Sequence, residues 1–139
     1  MARPRSAPAS SRMVSRERTV RVLICDDDPS LRTLLRIAFA LEPDLEIVAD
    51  ASDGLEAIDL AGRHRPDVIL LDLGMPRMDG LQALPKLRET VPDASIVVFS
   101  GYQESLLGKQ ALSLGAVAYV EKGASPSALA DTIRDAAMA

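Results

Sequence analysis

Val68-Ile69-Leu70-Leu71-Asp72-Leu73-Gly74-Met75-Pro76 is the stretch that decides the reading of this chain. Four aliphatic residues run directly into an aspartate, and a Gly and a Pro follow at once. The run is too short for a free-standing helix and rich in β-preferring residues, so it reads as a strand buried on both faces. Gly74 and Pro76 end it and turn the chain. Asp72 thereby stands at the carboxyl end of a central strand, the edge of an open α/β sheet where ligands bind. A carboxylate there needs a cation, hydrogen bonds or water, because burying it unpaired is costly.

Outward from this strand, the pattern alternates. Val20–Cys25 is a first strand, ending in Asp26-Asp27-Asp28, and Pro29-Ser30 opens a helix with Leu31, Leu34, Leu35 and Ala38 at helical spacing. Pro43-Asp44 breaks that helix, and Leu45–Ala49 is a second strand. Ser52-Asp53-Gly54 turns and caps a helix marked by Leu55, Ile58 and Ala61. After the Asp72 strand come a helix over Gly80–Val91 containing Pro85, and a strand over Ser95–Phe99 leading into Ser100-Gly101. A weaker helix over Leu106–Leu114 contains Gly108, at a cost in propensity. Val117–Val120 is the fifth strand, ending in Glu121-Lys122, and Ser125-Pro126 starts a last helix through Leu129, Ile133 and Ala137. Five β-α units with short connections imply an α/β fold with a parallel sheet and right-handed crossovers.

A length of 139 residues suits one domain: a folded unit over residues 19–139 behind a disordered tail over residues 1–18. The tail carries five Arg against one acid. The chain's net charge of −4 therefore leaves −8 on the remainder, which argues against nucleic-acid binding by the domain. Aromatic content of 3% offers no base-stacking platform. No stretch is long and apolar enough to span a bilayer, and the tail lacks the apolar centre of a signal peptide. A single cysteine, Cys25, cannot form an internal disulfide and fits a reducing, cytoplasmic setting.

Parallel strands place all their carboxyl ends on one edge. That edge collects Asp26 and Asp27, Asp72, Ser100 and Lys122. Three carboxylates repel one another and raise one another's pKa. Mg²⁺ resolves the conflict, since it takes carboxylate oxygens and keeps positions open for water or phosphate oxygens. Lys122 adds a compact positive charge and Ser100 a hydroxyl donor. Together they suit a phosphoryl group carried on one acid.

On these residues, with Met75-Pro76, Met78-Asp79-Gly80 and Tyr119 in order, the sequence resembles the receiver domain of two-component response regulators over about residues 20–137. The resemblance implies the flavodoxin-like (βα)5 fold with strand order 2-1-3-4-5, an order for which a member of this family is a standing example. It implies that Asp72 is phosphorylated by a sensor histidine kinase or phosphotransfer protein. Asp26, Asp27, Asp72 and the backbone carbonyl of Gly74 would hold Mg²⁺. Ser100 and Lys122 would contact the phosphoryl group, and Tyr119 would act as a switch coupled to Ser100. The surface of the fourth helix, fifth strand and fifth helix would then bind a downstream protein or a second copy of the chain.

Three positions depart from the family pattern. Gly74 stands in place of a larger residue, Gly101 in place of a usual Ala, and Gly123 where many members have Pro. Tyr119–Pro126 is similar to receivers that carry a helix-turn-helix output domain. Two readings stay open: a stand-alone receiver, towards which the tail and the complete last helix lean, or the receiver part of a longer DNA-binding regulator. Neither is a turnover enzyme on an external substrate. A rival from another class is a phosphohydrolase of the haloacid-dehalogenase type, to which Asp26-Asp27-Asp28 superficially corresponds; it leaves Asp72 and Met75-Pro76 unexplained.

Overall fold

The structure is a computed structural model that describes residues 19–101 and 105–138. The tail expected over residues 1–18 lies outside the described residues. Five strands, β1 (Val20–Cys25), β2 (Leu45–Ala51), β3 (Val68–Leu71), β4 (Ser95–Ser100) and β5 (Ala118–Glu121), alternate with five helices. These are α1 (Pro29–Ala40), α2 (Gly54–His64), α3 (Gly80–Thr90), α4 (Ser105–Ser113) and α5 (Pro126–Ala137). All strand pairs are parallel, in the order β2-β1-β3-β4-β5, which is the flavodoxin-like arrangement.

Strand alternation divides the core in two. Leu23, Cys25, Ile69, Leu71, Ile96 and Val98 point to one face and pack against α2, α3 and α4 through Ala57, Ala61, Leu84, Leu87 and Ala111. Val22, Ile24, Val68, Leu70, Val97 and Phe99 point to the other and meet Leu35 and Phe39 of α1 and Leu129 and Ile133 of α5. All four residues of β3 are buried, as a strand covered on both faces requires. Each such aliphatic side chain contributes about 1.5–3 kcal/mol by leaving water.

Local chemistry sets the helix starts. Asp28, Asp53, Asp79 and Ser125 are the N-caps of α1, α2, α3 and α5, each accepting from a backbone amide of the first turn. Asp79 and Gln82 complete a capping box. Pro85 sits within α3 on its exposed side, where its missing amide faces away from the core.

Two expectations are corrected. Helical spacing groups Leu34 with Leu31, Leu35 and Ala38 on one face of α1, yet Leu34 is 53% exposed, while Leu35 and Phe39 are buried. Successive helical positions lie about 100° apart, so a narrow contact stripe cannot hold both Leu34 and Leu35. Strand β2 also runs two residues further than Ala49. Its pairing with β1 shifts from Val22↔Ile47 to Leu23↔Ala49, which leaves Val48 as an extra, bulged residue and lets Ala51 align with Cys25. Among the described residues, no helix is long and apolar enough to cross a membrane.

The turn from β3 into α3 closes against Gly80. Its amide donates to the Leu73 carbonyl at 3.0 Å, and a Cβ built on it would lie 2.2 Å from the Asp72 carbonyl oxygen. Gly80→Ala should therefore force the strand end apart and cost about 3 kcal/mol, measured by urea unfolding. An unchanged unfolding midpoint would show that the turn has room this packing denies it.

Candidate functional site

The backbone ladder continues past the strands and fixes where the chemistry-bearing residues stand. The Asp26 amide donates to the Ala51 carbonyl, the Asp72 amide to Cys25 and the Lys122 amide to Ser100, each at 2.9 Å. The first residue after β1, the first after β3 and the first after β5 are thus pinned to one edge of the sheet by main-chain bonds, before any side-chain interaction.

Asp26, Asp27 and Asp72 each offer a carboxylate oxygen within 4.8 Å of the others. Asp26 and Asp72 are buried and Asp27 is exposed. The Lys122 ammonium enters this cluster, with Nζ 2.7 Å from Asp26 Oδ2 and 3.4 Å from Asp72 Oδ2. Asp26 Oδ1 accepts the Asp28 amide at 2.9 Å. Asp72 Oδ1 accepts a long bond, 3.4 Å, from the Gly74 amide. Ser100 ends β4, fully buried, with its carbonyl bonded to the Lys122 amide.

The electrostatics follow from this crowding. Burial pushes the Asp72 carboxyl above the ordinary aspartate range, and the charge of Asp26 adds to that; Lys122 and the Gly74 amide oppose it. Partial burial alone would lower the Lys122 ammonium. Its hydrogen bond to Asp26 and the negative charge of Asp72 outweigh burial and hold it above the usual lysine value. One lysine thus compensates two buried acids, and Asp27 stands beside them uncompensated by it. A hard divalent cation taking one oxygen from each acid would relieve the repulsion, so the donor set fits such an ion.

Tyr119 lies on β5, partly buried, with its ring against α4. A Cβ on Gly108 would stand 3.3 Å from two ring carbons, so this glycine gives the ring its seat. That is a packing reason for a residue whose helix propensity alone argues against it. Gly101 and Gly74 are both exposed. His64, the last residue of α2, is partly exposed and is not among the residues of the cluster.

Sequence reasoning missed the ion pairs of the structure, of which two sets tie distant elements together. Arg77 Nε lies 2.7 Å from Asp53 Oδ2, joining the loop after β3 to the start of α2. Arg134 of α5 pairs with Asp44 at 2.6 Å and with Glu42, clamping the last helix to the α1–β2 turn. The Asp44 carboxyl is held below its ordinary range by that bond to Arg134. Neither pair has a periodic or motif signal; both join residues far apart in the chain.

A carboxyl whose folded-state pKa is raised favours folding fully only below its unfolded value, about 3.9, and loses that contribution as pH rises through the folded value. At neutral pH without metal, Asp72→Asn should therefore melt at a higher temperature than wild type. The gap should close towards pH 4 and also when millimolar Mg²⁺ stabilises the wild type. Thermal melts over pH and Mg²⁺ check this, and a wild type more stable than the variant at neutral pH without metal would refute it.

Comparison with known proteins bears on the family and the fold. The family model for the response regulator receiver domain matches residues 22–134. The nitrate/nitrite response regulator protein NarL of Escherichia coli is 40% identical over 126 residues, covering 89% of this chain and 57% of that protein. The uncharacterized transcriptional regulatory protein YhcZ of Bacillus subtilis is 39% identical over 113 residues, covering 81% and 53%. The chain thus spans little more than half the length of these curated relatives. Among solved structures, the response regulator domain of Thermotoga maritima CheB superposes with a TM-score of 0.81 at 31% identity, covering 88% of this chain and 98% of that one. A LuxR-family two-component response regulator from Aurantimonas sp. SI85-9A1 gives 0.82 at 31% identity, covering 86% of each. With a family match over almost all of the described residues and a fold to correspond, this chain belongs to the response regulator receiver domains of two-component systems.

Proposed function

We propose that this chain accepts a phosphoryl group on Asp72 in a Mg²⁺-dependent reaction and is switched by it. Residues 19–139 form the receiver and the Arg-rich residues 1–18 lie outside it. The observation that carries this reading is the meeting of Asp26, Asp27, Asp72 and Lys122 at one sheet edge. Asp72 belongs to the three-acid cluster, accepts a long 3.4 Å bond from the Gly74 amide and lies 3.4 Å from the Lys122 ammonium, which suits a nucleophile. One of its oxygens attacks phosphorus as the donor's phosphorus–nitrogen bond breaks, and the leaving electron pair stays on the donor imidazole. Asp26, Asp27, Asp72 and the Gly74 carbonyl would hold Mg²⁺, which when bound neutralises phosphoryl oxygens. Lys122 moves its charge from Asp26 towards the new phosphoryl group, and Ser100 donates its hydroxyl to the same group.

The chain promotes its own phosphorylation and dephosphorylation and turns over no external substrate. A histidine kinase or phosphotransfer protein in the cytoplasm is the donor. Ser100 and Tyr119 carry the change to the face of α4, β5 and α5, and the seat that Gly108 leaves for the Tyr119 ring supports a ring whose position α4 can sense. A downstream protein or a second copy of this chain then binds that face. DNA binding, where the intact protein has it, belongs to another part of that protein.

Incubation with a small phosphodonor and Mg²⁺ should add one phosphoryl mass to wild type and none to Asp72→Ala. Lys122→Ala should label about 100-fold more slowly. Label mapped to Asp26 would favour the phosphohydrolase chemistry instead, and equal labelling of Asp72→Ala would overturn the site.

A further inference from the structure

The loop between β3 and α3, residues 73–79, carries Gly74, and its apex is tied to α2 at two points. The Gly54 amide donates to the Met78 carbonyl at 2.9 Å, and Arg77 Nε donates to Asp53 Oδ2 at 2.7 Å. Asp53 is no ordinary surface acid. Its side chain is only 10% exposed, and its other oxygen caps α2 by accepting the Glu56 amide at 2.8 Å. The capped amide and the guanidinium together keep that carboxyl ionised, holding it below the usual range.

Arg77 itself adopts a left-handed backbone, with φ at 64°. That conformation suits glycine and disfavours any other side chain. An arginine there retains it only where something else compensates. Here the compensation is a guanidinium reaching Asp53, on the element that flanks the loop. The Arg77 side chain is otherwise 60% exposed, and this is the one salt bridge it makes among the described residues. A pair with one end buried is screened less than an exposed pair and restrains its loop more firmly.

We propose that Asp53 and Arg77 are positioning residues for the metal site. The inference rests on the reading of Asp26, Asp27, Asp72 and the Gly74 carbonyl as the Mg²⁺ ligand set. Two of those ligands, Asp26 and Asp72, are pinned to the sheet edge by main-chain bonds, but the Gly74 carbonyl belongs to a loop that the sheet does not hold. The Asp53–Arg77 tie keeps the left-handed turn from relaxing and so keeps that carbonyl preset, acting on the ion through the backbone without touching it. Outlying partners of this kind change metal affinity without being ligands.

Calorimetric titration of the full chain with Mg²⁺, beside thermal melts, tests the proposal. Asp53→Asn retains an N-cap acceptor but loses the charge, and Arg77→Ala keeps the strained turn without the tie. Each should weaken Mg²⁺ binding about three- to tenfold. The double variant should be no weaker than the single ones, and Arg77→Lys should recover part of the loss. Wild-type Mg²⁺ affinity in Asp53→Asn and Arg77→Ala, even with lowered melting temperatures, reduces the pair to a structural contact and overturns the proposal while leaving the site reading intact. A wild type that binds no Mg²⁺ overturns the site reading, and this inference with it.

Discussion

Mutual repulsion among three carboxylates is the constraint to which the rest of this molecule answers. Asp26, Asp27 and Asp72 are brought within 4.8 Å of one another with a single lysine among them. Nothing in their own interaction favours that gathering. The sheet imposes it: the amides of Asp26 and Asp72 are locked into the ladder by Ala51 and Cys25, and the strands behind them are buried on both faces. Hydrophobic burial, distributed over two aliphatic half-cores, thus holds charges where they are individually unfavourable. Chemistry at the edge and packing in the interior are one arrangement, with the fold supplying the free energy that the site stores.

The same division explains what could be read from the chain before its structure. The apolar run before Asp72 identifies its strand because four consecutive aliphatics leave few other options, and acids at the ends of parallel strands must share an edge. Strand order was a matter of resemblance, since alternation alone does not set it. What stayed hidden depends on three-dimensional approach. Leu34 and Leu35 are indistinguishable in a list of apolar residues, and only the width of the contact stripe on α1 separates them. Asp53 and Arg77 are 24 residues apart, and Arg134 and Asp44 are 90 apart. No local pattern announces pairs at such distances. Gly108 reads as a defect in a helix until the Tyr119 ring is seen lying against it.

Two kinds of restraint converge on the candidate site. Main-chain bonds of the sheet hold Asp26, Asp72 and Lys122, and these yield only with the sheet itself. The loop after β3 is restrained instead by side chains and by close packing: the Asp53–Arg77 pair at its apex and Gly80 at its base. The first kind is rigid, because it is part of the packed sheet; the second depends on a few side chains and one close backbone approach. The clamp of Arg134 on Glu42 and Asp44 secures the C-terminal end of α5 to the α1–β2 turn.

The bulge at Val48 has a consequence of its own. Strands β2 and β5 are the two borders of the sheet, and a regular border invites another chain to add to it. In β2 the extra residue breaks the even row of free amides and carbonyls, and Glu46 and Asp50 place charge beside it. β5 is only four residues long and ends in Glu121. Neither border is a good template for β-strand addition, so this protein is guarded against cross-β aggregation at both margins.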